Sequence, residues 1–149
     1  MLRTKLIHPD MLQALAAGGH SSKILIADGN YPASSRLGPR AKLVSLNLTP
    51  GVISCTQALE AIVSAVPVEA AHVMAYATTG PYALPGDPPI WKEFSSILST
   101  VNYTQPLEQV ERFQFYDLAG GSDVVLTIQT GDQRIYANLL LTIGVVQTK

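Results

Sequence analysis

A single cysteine, Cys55, is all the thiol chemistry this chain has. One thiol cannot form an intramolecular disulfide, which fits a reducing compartment, so a cytoplasmic location is expected. Cys55 falls on the apolar pattern of "GVISCTQALEAIVSAV", which makes it a core thiol rather than a nucleophile. Histidine occurs only at positions 8, 20 and 72, too scattered to pair as metal ligands. "TTGPYALPG" has neither dinucleotide-fingerprint spacing nor the Gly-Lys-Ser/Thr ending of a P-loop, and no Gly-x-Ser-x-Gly elbow occurs. No metal and no cofactor are therefore expected.

Charge is scarce as well. Charged residues make up 14% of the chain with a net −1, and no Lys/Arg run interleaves with aromatics, which argues against a nucleic-acid partner. No apolar run approaches the ~20 residues of a membrane-spanning helix. The opening "MLRTKLIHPDML" lacks the roughly 7–15-residue apolar core of a secretory signal. A membrane partner is not expected either.

What is present is apolar and alternating. Hydrophobic residues reach 47%, and with so few charges this leaves surface to be buried against other copies of the chain, so a homo-oligomer is expected. "HPDMLQALAAGG" reads as a helix with Pro at its first turn and Gly at its end. Apolar strands follow at "KILIA", "AKLVSLNL" and "AAHVMAYA". Between the last two, "TPGVISCTQALEAIVSAV" reads as a helix with Thr49 as N-cap. After the Gly/Pro-rich loop "TTGPYALPGDPPIW" come the helix "PPIWKEFSSILSTV", a short strand at "VERF" and a helical turn at "FYDLAGGS". "DVVLTIQT" and "NLLLTIGVV" close the chain and read as an antiparallel hairpin. Strands alternating with helices predict one α/β domain over residues 1–149, a sandwich with a mostly parallel central sheet flanked by helices.

Polar residues that stand out sit beside these strands. In "GGHSSKILIADGNYPASS", His20 precedes the strand and Asp28 follows it. Five residues of strand span roughly 17 Å, which puts the two at opposite ends unless the loop folds back or a second subunit completes the site. Taken singly, each candidate has an ordinary reading: His20 as a helix-end cap, Asp28 as a turn former, Arg112 as an ion-pair partner, Tyr116 as core packing, Tyr136 and Asn138 as turn residues.

Read together, four segments resemble one family. "GGHSSKILIADGNYPASS" resembles a Gly-His pair before a strand that ends in Asp and an aromatic-Pro loop. "PPIWKEFSSIL" is similar to the family's third helix, "VERFQFYDLA" to its Arg-Phe-x-Phe-Tyr segment and "YANLLLTIGV" to its closing Tyr-x-Asn strand. These are marks of the RbsD/FucU family, the D-ribose pyranases and L-fucose mutarotases, kept in order from about Leu6 to Val146. The Arg-Phe-x-Phe-Tyr segment points to the fucose branch.

The resemblance implies His20 as proton donor and Tyr116 as a second proton-transfer group. It implies Asp28, Arg112, Tyr136, Ala137 and Asn138 as substrate-binding positions, with Glu69 aligned to an acidic residue of the animal enzymes. It also implies a cofactor-free isomerase acting on a free monosaccharide, in a cytoplasmic ring-shaped homo-oligomer, commonly a decamer, with sites at subunit boundaries. One departure is visible. Ser22 stands where the family has an acidic residue two past the histidine, followed by Lys23, so the imidazole lacks its usual carboxylate neighbour in sequence.

These residue types suit the implied chemistry. Opening a cyclic hemiacetal takes a proton from the anomeric hydroxyl and delivers one to the ring oxygen; reclosure reverses both. Imidazole titrates near neutrality and can do either, and positioned acid–base groups contribute about 10²–10⁴-fold. Asp accepts from sugar hydroxyls, Arg donates in a fixed fork, Asn does both, and tyrosine offers a ring to a C–H face. Three functions stay open at this stage: a fucose-type mutarotase, a pyranase acting on ribose, and a monosaccharide-binding protein without turnover, linked to sugar uptake.

Overall fold

Along the buried strands, side chains alternate so that each face of one sheet has its own core. The computed structural model describes residues 1–148. In chain order they form α1 (Pro9–Ala17), β1 (Lys23–Ala27), β2 (Lys42–Ser45), α2 (Cys55–Val63), β3 (Val68–Met74), α3 (Pro89–Ser99), β4 (Glu108–Val110), α4 (Arg112–Ala119), β5 (Val124–Gln129) and β6 (Leu139–Ile143). On β1, Ile24 and Ile26 enter one core and Leu25 and Ala27 the other; on β6, Leu139 and Leu141 oppose Leu140. A strand buried on both faces needs cover on both. Leu15, Leu59, Ile62, Phe94 and Leu98 from α1, α2 and α3 supply it on the larger side. Phe115 and Ala119 from α4, with Tyr31 and Ala33 from the loop after β1, supply it on the smaller.

The six strands lie in the order β2-β5-β1-β6-β3-β4. All run parallel except β6, which is antiparallel to both of its neighbours. The expected mostly parallel α/β sheet is present. The closing pair, however, does not form a hairpin. β1 lies between β5 and β6, and β6 sits mid-sheet rather than extending an edge. Its five residues are all buried, whereas a strand in a hairpin at the edge would face solvent on one side.

Two element boundaries also depart from expectation. Thr49 does not cap α2. Residues 49–52 fold back on themselves, Val52 N–H donating to the Thr49 carbonyl at 2.9 Å, around Gly51 at a φ of 84°. The helix starts after Ser54, which forms a capping box with Gln57: each backbone N–H donates to the other's side-chain oxygen. "VERF" is divided. Val110 ends β4, and the Glu111 carboxylate accepts from Phe113 N–H at 2.9 Å and Gln114 N–H at 3.1 Å, so Arg112 opens an eight-residue helix. No helix among the described residues is long and apolar enough to cross a membrane.

Candidate functional site

Because β6 is antiparallel, its start lies at the same edge of the sheet as the C-terminal ends of β1 and β3. Asp28 follows β1, Met74 ends β3 and Asn138 precedes β6, so three elements converge on one spot. The N-terminal turns of α4 bring Arg112 and Tyr116 to it. Together with Asn30, Tyr31, Tyr82, Ile135 and Tyr136 they line a pocket of about 290 Å³. This edge, beyond the carboxyl ends of parallel strands, is where open α/β sheets hold ligands.

Asp28 and Asn138 form its floor as a reciprocal pair. The Asp28 backbone N–H donates to Asn138 Oδ1 at 2.9 Å, and Asn138 Nδ2 donates to Asp28 Oδ2 at 3.0 Å. Asn30 N–H donates to Asp28 Oδ1 at 2.9 Å. Only 3% of Asp28 is exposed. Burial pushes its carboxyl up to about 6, against the downward pull of backbone N–H groups of Asn30, Ala137 and Tyr31. Ala137 is itself buried and bears on the site through its backbone.

The walls are aromatic and cationic. Tyr116 lies beneath two guanidiniums, that of Arg36 at 5.0 Å from the ring centroid and that of Arg112 at 5.8 Å. Tyr31 also packs on it, at 5.5 Å between centroids, and Phe113 meets it edge-on at 6.5 Å. Tyr31 is buried with no hydrogen-bond partner for its hydroxyl, and burial pushes its phenol well above the usual range. Sequence reading missed Asn30, Tyr31, Met74, Tyr82 and Ile135. The aromatic-Pro step after Asp28 was the available signal for Tyr31; nothing local marks the other four.

Tyr136 is held in the left-handed region, at a φ of 58°. For a bulky residue this is strained by about 1–3 kcal/mol and persists only when the surroundings fix it. Three hydrogen bonds do so, each at 3.0 Å. Ala77 N–H donates to the Tyr136 hydroxyl, that hydroxyl donates to the Tyr82 carbonyl, and the Trp91 indole N–H donates to the Tyr136 carbonyl.

His20 and Glu69 are not in this pocket. They lie at the opposite edge of the sheet, where the backbone just after His20 meets the end of β6: Ser21 N–H donates to Ile143 O at 2.9 Å and Ile143 N–H to Ser22 O at 2.8 Å. The loop before β1 does not fold back. His20 Nε2 instead contacts Glu69 Oε2 at 2.9 Å, with 55% of the imidazole and 41% of the carboxylate side chain exposed. Glu69, on β3, thus stands beside the imidazole as the carboxylate that Ser22 does not provide. Lys23 pairs with Asp123. Cys55 is fully buried against Thr130, and burial pushes its thiol up to about 12, so it packs rather than reacts. Among the described residues no three His, Cys, Asp or Glu side chains converge as a metal site.

The same fold and order of elements recur in known proteins. A model of the RbsD / FucU transport protein family matches residues 1–146. The fucose mutarotase of Homo sapiens is 33% identical over 149 residues, covering 95% of this chain and 90% of that protein. A D-ribose pyranase of Paracidovorax citrulli is 31% identical, covering 97% and 98%. The crystal structure of FucU from Bifidobacterium longum superposes with a TM-score of 0.80 at 29% identity, covering 96% of this chain and 97% of that one. With the sheet order, the pocket at its carboxyl edge and these full-length matches in agreement, the chain belongs to the RbsD / FucU transport protein family.

Proposed function

We propose that this protein is a cofactor-independent sugar mutarotase, interconverting the anomers of L-fucose or a similar free monosaccharide by acid–base ring opening and closure. The observation that carries the reading is the buried Asp28–Asn138 pair at the floor of a pocket of about 290 Å³, roofed by tyrosines and an arginine. That volume suits one monosaccharide, and the groups suit hydroxyls: a carboxylate to accept, an amide locked in orientation, a guanidinium to donate. Asp28, Arg112, Ala137 and Asn138 hold the sugar, Tyr136 lines the wall beside it, and Tyr116 exchanges a proton with it. Relatives named fucose mutarotase support the fucose assignment; the relative named D-ribose pyranase supports ribose as the second candidate, by the same chemistry.

The proton donor His20 lies the length of β1 away from Asp28, roughly 17 Å for five residues. Proton transfer needs heavy-atom distances of about 2.6–3.2 Å or one bridging water. A His20 that serves the pocket therefore comes from a second copy, docked with the lower edge of its sheet against the upper edge of this one. Contact between two different faces is heterologous and closes as a ring when the rotation allows, which is the cytoplasmic ring or decamer expected of the chain. Glu69 engages Nε2 and leaves Nδ1 to meet the sugar. Saturation-transfer NMR on unlabelled sugars tests the reading. Accelerated exchange between L-fucose anomers is expected; acceleration of ribose ring-form exchange alone moves the assignment to a pyranase, and binding without acceleration refutes catalysis.

A further inference from the structure

Tyr82 lies on the Gly/Pro-rich segment between β3 and α3, and it is 67% exposed although it lines the pocket. Few bonds hold that segment. Leu84 N–H donates to Ala77 O at 2.9 Å and Ala83 N–H to Gly80 O at 3.2 Å, both within the segment itself. What ties it to the pocket is the Tyr136 hydroxyl, which accepts from Ala77 N–H and donates to the Tyr82 carbonyl. A tyrosine hydroxyl has one proton to donate, and this one is already committed to the loop. The phenol is therefore not free to donate to a sugar. The strained backbone at Tyr136 and the Trp91 bond to its carbonyl fix the ring from behind, with Tyr76 edge-on at 6.3 Å.

We propose that Tyr82 is a sugar-contacting wall of the pocket, and that the Tyr136 hydroxyl is the latch that positions it. Tyr136 is on this view a positioning residue, and Tyr82 sets affinity by presenting its ring to the C–H face of a pyranose. The assignment of a sugar to the pocket rests on the function proposed above; the latch itself does not.

The test uses the full chain in its native assembly, with apparent KM and saturating rate read from the dependence of anomer exchange on L-fucose concentration. Loss of one aromatic contact predicts that Tyr82→Ala raises KM about three- to tenfold, with the saturating rate within about twofold. Tyr82→Phe, which restores the ring, recovers most of that loss. Tyr136→Phe raises KM similarly, speeds amide hydrogen exchange across residues 78–86 without sugar, and adds little on the Tyr82→Ala background. An unchanged KM in Tyr82→Ala overturns the wall. Additive effects of the two substitutions, or unchanged exchange across 78–86 in Tyr136→Phe, overturn the latch. If the unaltered protein processes no monosaccharide, the functional reading fails and takes the sugar wall with it, while hydrogen exchange still decides the latch.

Discussion

Asp28 makes the stability of this protein depend on pH in a direction opposite to that of most acidic side chains. Its carboxyl is raised from 3.8 to about 6 because burial penalises the ionised form more than the surrounding donors favour it. The native state then binds more protons than the unfolded state across that window, so stability falls as pH rises through it. A shift from 3.8 to about 6 corresponds to about 3 kcal/mol, of which about 2 kcal/mol falls between pH 4.5 and 7.5. Asp132 is shifted the other way, hydrogen bonds from Arg134 and the Cys55 N–H outweighing its burial, so its contribution changes below this window rather than across it. Comparison with Asp28→Asn isolates the single group. The amide sets a donor against Asn30 N–H or Asn138 Nδ2, a penalty that does not vary with pH. Urea unfolding of both proteins, at fixed protein concentration and ionic strength, should show the wild type losing about 2 kcal/mol relative to the variant from pH 4.5 to 7.5. A flat difference, or a wild type that gains with pH, refutes the burial argument.

Four further outcomes are expected. Asn138→Ala strands the buried Asp28 N–H and removes a donor from its carboxylate, so it should destabilise by about 2–4 kcal/mol in urea unfolding as well as weaken sugar binding. Tyr31→Phe deletes a buried hydroxyl that has no partner, and should raise stability by about 1 kcal/mol; a loss of that size would reveal an unseen partner. His20→Ala should slow anomer exchange by about 10²-fold or more at saturating sugar with little change in affinity. Mixing His20→Ala and Asp28→Asn subunits after reversible dissociation should restore activity that neither has alone, because some sites then hold both wild-type residues; no recovery in a confirmed mixed assembly would rule out a shared site.

Much of the fold was legible because its signals are local. The continuous apolar run of "KILIA" and the Pro and Gly at the ends of "HPDMLQALAAGG" act within a few residues of themselves, and both elements stand where they were read. The capping error at α2 had a local cause of a subtler kind. Two N-cap candidates, Thr49 and Ser54, compete for one helix, and only Ser54 has a glutamine three residues on to return the bond. The placement of β6 was not legible at all. An all-apolar strand after "GDQ" fits a hairpin partner for β5 as well as a mid-sheet strand, and what decides is the empty slot between β1 and β3, a property of the whole sheet.

That slot also decides the chemistry. Had β6 paired with β5 as a hairpin, Asn138 would meet the end of β5, and Asp28 would keep a buried carboxylate without the amide that orients it. Inserted antiparallel beside β1, the strand instead brings Tyr136, Ala137 and Asn138 up to the carboxyl edge and carries Ile143 down to the backbone next to His20. One strand thus touches both halves of the proposed machinery, the sugar floor at its start and the proton donor at its end. The two halves cannot meet within a subunit, since the strand that organises them is also what holds them apart. In the assembly proposed above, sheets stack end over end, so that the His20 which β6 holds away from its own Asp28 is offered to the Asp28 of the next copy.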